Sequence, residues 1–463
     1  MTELAFQSWI DASRQMQSGE LSSESYTQAL LDHIAAHDES LNAFLLLAAD
    51  DALAAARSID ARRAAGEPLG PFAGVPYALK DIIDTAGVRT TCHSAIRADH
   101  VPGADATVTN KLNAAGGVLL GKLATHEFAI GGPSFDLPWP PARNPWDRNR
   151  FPGGSSSGSG AAVGAGMVPL ALGTDTAGSV RNPASLCGVV GMKPTYGLVS
   201  RSGVFPLSFS LDHVGPLTRT VEENAAALDL ISGFDPTDPG SRDVAVTCAT
   251  STLRDGVRGM RVGVLRDFYT HDIEAHAEVR QGIEDALQVL ASAGAEVIEL
   301  QVRPLREYIE CNRVLLTSEA FAVHEQWLKE RPQDYGSFAR ERLSVGAFLR
   351  AVDYVQACRT KRQLCAEFNQ LFADVDVLVT ASSMDLTCRI DDPAEVTRTY
   401  QRQARAPFNL TGLPAVSVPV GFDSAGMPLA MQIAGPAFQE ARIYQAAFAY
   451  EQATSWHKQQ PNL

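Results

Sequence analysis

The stretch Gly153-Gly154-Ser155-Ser156-Ser157-Gly158-Ser159-Gly160 concentrates hydroxyls on glycine-loosened backbone, and three kinds of chemistry use such a loop. A phosphate-cradling P-loop needs a lysine after its last glycine, and none follows here. A dinucleotide fingerprint needs G-x-G-x-x-G, but Gly158-x-Gly160 is followed by Gly164, one residue out of register. Gly154-Ser155-Ser156-Ser157-Gly158 matches the G-x-S-x-G nucleophile elbow, with Ser156 as nucleophile. That elbow sits directly after a buried strand, and what precedes Gly154 is PPARNPWDRNRFPG, polar and broken by four prolines. A plain flexible linker is excluded by the continuation AAVGAGMVPLALGTDTAGSVRNPA: small residues suited to close helix packing, then an apolar run, then a second Gly/Ser turn.

Taken in order, these pieces resemble the amidase signature family. The signature block is the Ser/Gly stretch, then Gly173-Thr174-Asp175-Thr176-Ala177-Gly178-Ser179-Val180-Arg181, then Gly191-Met192-Lys193-Pro194-Thr195. A lysine ending an upstream strand is present in Gly74-Val75-Pro76-Tyr77-Ala78-Leu79-Lys80-Asp81. Asn409-Leu410-Thr411-Gly412-Leu413-Pro414-Ala415 and Gln432-Ile433-Ala434-Gly435-Pro436 complete a likeness that covers nearly the whole chain. The resemblance implies a Ser–cis-Ser–Lys triad with Ser179 as nucleophile, Ser155 as the bridging cis-serine and Lys80 as base, leaving Ser156 a bystander. It implies an oxyanion hole from the Thr176-Ala177-Gly178-Ser179 turn and a substrate pocket at Phe128, Ala129 and Ile130. It also implies an Asp175–Arg181 pair that braces the turn.

The implied chemistry is physically coherent. A serine hydroxyl is a weak nucleophile that needs a base within hydrogen-bond reach. A lysine serves only when neutral, hence desolvated and kept away from carboxylates. Lys80 ends an apolar run, and Asp81 points the opposite way if that strand is regular. Glycine at 154 relieves crowding beside Ser155, and Gly178 lets the backbone approach a substrate. Where family members often carry Gly-Gly-Ser, this chain has Ala177-Gly178-Ser179. A rival Ser-His-Asp triad would use Ser179, His213 and Asp212, but adjacent side chains normally diverge; His213 reads as a brace for the SLDHVGP turn. His93 and His126 receive no chemistry, and no metal or cofactor site is expected.

The elements that must position these groups alternate between strand and helix. Val75–Lys80, Gly117–Gly121 and Val168–Gly173 read as buried strands. Residues 260–301 read as one β-α-β unit: strand MRVGVL, helix DIEAHAEVRQGIEDALQVLAS, a stop at Gly294, strand AEVIEL. Val375–Thr380, Val416–Val420 and Leu429–Ile433 are later strands, and 21–47 reads as one amphipathic helix. The expected fold is α/β: a large mixed central sheet covered by helices on both faces. Residues 1–304 and 373–463 form the core, 232–243 a turn-rich linker, and 305–372 a helical subdomain or lid.

The 463 residues carry a net charge of −14 and no Lys/Arg-rich run, which argues against nucleic acid or an anionic membrane as partner. Seven scattered cysteines without C-x-x-C pairs read as reduced thiols of a cytoplasmic protein, and the polar N-terminal run does not read as a signal peptide. The expectation is a stand-alone hydrolase, monomer or homodimer, cleaving C–N bonds of small amides or carbamates (urethanes) through an acyl-enzyme. Trp139 and Trp146 would form a wall suited to aryl or alkyl substrates. Two alternatives share the motifs. One is the A subunit of a glutamyl-tRNA(Gln)/aspartyl-tRNA(Asn) amidotransferase complex, although YGSFARERLSVGAFLR lacks the glycine-phenylalanine and basic helix pattern associated with it. The other is a non-catalytic binding protein on the same fold.

Overall fold

The computed structural model describes residues 2–245 and 247–463. Eleven strands form one sheet: β1 (Phe44–Leu47), β2 (Pro76–Lys80), β3 (Val118–Leu123), β4 (Leu170–Asp175), β5 (Val190–Lys193), β6 (His213–Thr218), β7 (Arg261–Val264), β8 (Glu296–Glu299), β9 (Val377–Ala381), β10 (Ala415–Phe422) and β11 (Pro428–Ala434). Their order is β1-β3-β2-β4-β6-β5-β10-β11-β9-β7-β8. β2 runs parallel to β3 and β4, and β7 parallel to β8 and β9, while the other pairings are antiparallel. Every residue of β2, β4, β5, β6, β9 and β11 is buried, so both faces of the sheet are covered. The expected mixed sheet between helices is the observed fold.

This topology decides where the chemistry gathers. Because β2, β3 and β4 are parallel neighbours, their carboxyl ends lie on one edge. Lys80 ends β2, the segment through His126 follows β3, and Asp175 ends β4. Groups about 95 residues apart in sequence thus meet at one edge of the sheet, where α/β folds place their sites.

Several boundaries differ from expectation. The helix expected over 21–47 is Ser23–Leu41, closed by Asn42 in the left-handed conformation at φ 51°. Phe44–Leu47 then pairs antiparallel with β3 as an edge strand. The helix expected from Asp272 begins at Ala277, where the His276 side chain caps Glu278 N. Residues 232–243 are no loose linker. Asp235 accepts hydrogen bonds from Ser200 and Thr107, and Asp238 pairs with Arg201 at 3.0 Å.

Residues 305–372 hold the helices Leu305–Glu330, Ser337–Ser344 and Ala351–Gln370 and no strand. Their inward side chains, among them Tyr308, Leu315, Leu343 and Phe368, belong to the same continuous apolar core as the sheet.

Candidate active site

Lys80 is fully buried at the end of β2. Its side-chain nitrogen lies 2.7 Å from Ser155 Oγ and 2.7 Å from Thr174 Oγ1. Burial lowers its pKa from 10.5 to about 7, against weaker opposition from the Asp212 and Asp175 carboxylates. Asp81, next in sequence, turns the other way as strand alternation requires. It pairs with Lys122 at 3.3 Å and accepts from Thr91 N and Oγ1.

Ser155 follows a cis Gly154–Ser155 peptide bond. Gly154 has to be glycine: a Cβ there would lie 2.1 Å from the His126 ring. Gly154 N donates to Asn182 Oδ1, and His126 N donates to Ser155 O. Ser156 Oγ instead bonds both backbone groups of Thr174, at 3.2 Å each, which stitches the serine loop to β4.

The second turn is built on Asp175. Its carboxylate takes the Arg181 guanidinium in a two-point pair, both bonds 3.0 Å, and also accepts from Gly178 N, Val180 N and Asn409 Nδ2. Burial alone would raise its pKa, but Arg181 and these donors hold it well below the usual carboxylate range. The expected Asp175–Arg181 brace is therefore present. One part of the expected oxyanion hole is not free, because Gly178 N–H donates to Asp175 Oδ1 at 2.7 Å. The N–H groups of Thr176, Ala177 and Ser179 have no hydrogen-bond partner within the described residues. Gly178, at φ 116°, makes room for Arg405, whose Nε would lie 2.3 Å from any Cβ at that position.

Ser179 opens onto a cavity of about 500 Å³ with Ala129, Ile130, Arg342, Val345 and Tyr400 in its wall. Ser179 Oγ lies 3.3 Å from Tyr400 Oη and makes no hydrogen bond with Ser155 Oγ. Of the three residues expected at a substrate pocket, Ala129 and Ile130 are in the cavity wall and Phe128 is not. With φ 48° at Phe128 and 61° at Ala129, the chain turns the Phe128 ring away from the cavity. It packs among Phe205, His324, Trp327 and Tyr335. Trp139 and Trp146 also stay out of the cavity wall: Trp139 stands edge-on to His93, and Trp146 packs on Phe422 and donates to Cys187 O. The Ser179–His213–Asp212 triad does not form. Asp212 accepts from Thr176 Oγ1 and from the N–H groups of Leu207 and Ser208, while His213 Nδ1 lies 2.7 Å from Leu211 O.

Sequence reasoning missed Thr174, Arg342, Tyr400 and Arg405. Thr174 was readable as the residue before Asp175 in the signature block. The other three come from helices and loops far along the chain and carry no motif. Arg342 gives Nη1 to the carbonyls of Ile130 and Gly131, and its Nε and Nη2 have no partner within the described residues. No group of three or more His, Cys, Asp or Glu side chains among the described residues is placed to hold a metal ion.

Residues 25–444 match the Amidase family, and the chain belongs to it: it is an amidase-signature enzyme acting on amide C–N bonds. It is 40% identical to the A subunit of the glutamyl-tRNA(Gln) amidotransferase of Moorella thermoacetica, across 96% of each chain. A solved structure, described as a vestigial protein complex that reveals the origins of an s-triazine catabolic enzyme, superposes with a TM-score of 0.90. It is 35% identical over 96% of this chain and 98% of its own. The peptide amidase of Stenotrophomonas maltophilia matches with a TM-score of 0.85 and 31% identity over 96% of each chain. Among the described residues, no helix is long and apolar enough to cross a membrane.

Proposed function

We propose that this chain is a serine amidohydrolase of the amidotransferase A-subunit type, acting on a carboxamide whose substrate also bears a carboxylate and releasing ammonia. The observation that carries the chemistry is a fully buried Lys80 that faces two hydroxyls and no carboxylate. Neutral Lys80 takes the Ser155 proton as Ser155 takes that of Ser179, and Ser179 Oγ attacks the amide carbon. This step requires the Ser179 side chain to turn from Tyr400 towards Ser155. The oxyanion is held by N–H groups of the 176–179 turn, Gly178 excepted. The C–N bond then breaks, nitrogen takes a proton through Ser155, and water hydrolyses the ester left on Ser179.

The cavity's charges support this substrate class. Arg313 and Arg342 are in its wall and no Asp or Glu is. Arg342 offers two unspent donors to an anion, the role a guanidinium fills best. The A-subunit reading draws on the 40% identity over nearly full length to the Moorella protein, and it makes further subunits the partners of this chain. In that reading a tRNA is met through the assembly, which is compatible with a chain of net charge −14. One observation favours a second reading, a stand-alone hydrolase. A glutamine substrate carries an ammonium, and the cavity wall holds no carboxylate to receive it. The carbamate reading gains nothing from the three relatives, none of which is named for that bond.

Ammonia release from L-glutamine, from glutaramate (glutamine without its ammonium) and from neutral butyramide tests this. Arg342→Met raises KM for the first two at least about tenfold and leaves butyramide unchanged, as expected for loss of a charge-assisted contact. An unchanged KM for all three removes the carboxylate from the proposal. Turnover of glutaramate far above glutamine, indifferent to added amidotransferase partner chains, favours the stand-alone enzyme.

A further inference from the structure

Tyr400 stands in the last turn of the helix Pro393–Gln401 and reaches the site across the cavity. Its hydroxyl lies 3.3 Å from Ser179 Oγ and 3.3 Å from Gly154 O. A carbonyl only accepts, so the phenol O–H donates to Gly154 O and its oxygen accepts from the Ser179 hydroxyl. The ring is held in place. The guanidinium carbons of Arg342 and Arg405 lie 6.0 and 5.9 Å from its centroid, and the His126 ring lies 6.4 Å away. His126 itself stacks on Phe151 and fills the space over Gly154. Tyr400 is thus fixed beside the peptide that carries Ser155, and nothing in the serine and lysine chemistry above uses it.

The departing nitrogen takes its proton from Ser155, so it comes to the side of the site where Gly154 O and Tyr400 Oη stand. As that nitrogen turns from planar to tetrahedral, its new lone pair faces the Ser155 proton and its N–H bonds need acceptors. Gly154 O and the phenol oxygen are two acceptors at that position. An unsubstituted nitrogen brings two N–H bonds to them. An alkylated nitrogen replaces one with a methyl group that meets the fixed ring.

We propose that Tyr400 and the Gly154 carbonyl form the seat of the leaving nitrogen, and that Tyr400 makes the enzyme selective for amides with an unsubstituted nitrogen. This deepens the reading above and rests on its assignment of Ser179 and Ser155. In the step concerned the C–N bond breaks, its electron pair stays on nitrogen, one proton passes from Ser155, and ammonia leaves. Ser155 regains a proton from Lys80.

The test compares three substrates of one acid, glutaramate, N-methylglutaramate and monomethyl glutarate, on the full chain and on Tyr400→Phe and Tyr400→Ala. Tyr400→Phe lowers kcat on the primary amide about tenfold more than on the ester, whose leaving oxygen brings no N–H, with KM little changed. Tyr400→Ala raises the N-methyl to primary rate ratio at least about tenfold by vacating the seat. A fluorophosphonate label at Ser179 in each variant shows that the nucleophile stays competent. With labelling intact, equal losses on amide and ester, or an unchanged N-methyl to primary ratio in Tyr400→Ala, overturn the proposal. Full activity of Ser179→Ala would instead overturn the nucleophile assignment beneath it.

Discussion

Lys80→Met should make the protein inactive and, at neutral pH, more stable. Burial takes the folded-state pKa of Lys80 from 10.5 to about 7. In the unfolded chain the ammonium keeps its proton up to about pH 10.5, so between these values folding releases a proton. Each unit of that gap costs about 1.4 kcal/mol, which makes the cost at pH 7.5 on the order of 4 kcal/mol. The substitution removes this cost and keeps a side chain of similar length. It also removes the two hydrogen bonds to Ser155 and Thr174, together about 2 kcal/mol. The net expectation is a gain of about 2 kcal/mol at pH 7.5.

The sign fixes the pH course. Because the unfolded state binds the extra proton, the wild type gains stability as pH rises from about 7 towards 10.5, and the variant does not. The two curves should cross near pH 9, where about 2 kcal/mol of proton cost equals the lost hydrogen bonds. Urea unfolding of both proteins at half-unit steps from pH 6.5 to 9.5 gives the difference directly. A variant less stable than wild type throughout this range would refute the reasoning. It would mean that Lys80 is charged in the folded protein and held by a partner.

Other expectations follow from the same geometry. For the wild type, kcat/KM should rise with pH through about 7 and level off as Lys80 becomes neutral; a profile flat from pH 6 to 9 excludes it as base. Ser179→Ala should abolish turnover, whereas Ser156→Ala should keep most of it and lose about 1–2 kcal/mol of stability with its bonds to Thr174. Steady-state rates and denaturation midpoints of the pair decide. Gly178→Ala should lower turnover at least about 100-fold, because its methyl group meets Arg405 and shifts the turn that carries the oxyanion donors; crystals or labelling kinetics with Ser179 unmoved would count against this.

How much was legible depended on how locally each part is encoded. Lys80, Ser155, Asp175, Ser179 and Arg181 sit in contiguous motifs whose spacing survives folding, and the structure brings them to one edge of the sheet. The β-α-β unit of 260–301 was readable because its periodicity changes cleanly from strand to helix and back. β5 and β6 were not, since four residues running into Pro194 and six interrupted by Pro216 give no usable period. Phe128 pointed away because two consecutive residues take positive φ, which no side-chain pattern announces. The commitment of Gly178 N–H to Asp175 was hidden for a similar reason: it depends on the turn's path. Arg342 and Tyr400 arrive by tertiary packing from remote helices, and nothing in ERLS or TRTY marks them.

Comparison of two buried lysines shows what makes Lys80 different. Lys122 lies on β3, one position out of register with Lys80, and is as buried. Its nitrogen has the Asp81 carboxylate at 3.3 Å and donates to Ile83 O and Thr90 Oγ1, so a charge there is compensated. Lys80 has only the hydroxyls of Ser155 and Thr174. Three carboxylates around it, the sequence neighbour Asp81 and the Asp175 and Asp212 whose charges act on it, are each committed elsewhere. Asp81 serves Lys122, Asp175 serves Arg181, and Asp212 holds Thr176 and two backbone N–H groups, with burial pushing its own pKa up to about 6. Freeing any of them should restore the proton to Lys80, and removing Asp212 should do the reverse. In Asp212→Asn the negative charge that most opposes the burial of Lys80 is gone. The acid limb of kcat/KM should therefore move to lower pH, while the lost Thr176 bond lowers the plateau. A limb that stays in place, or moves to higher pH, would show that the group titrating near pH 7 is not Lys80.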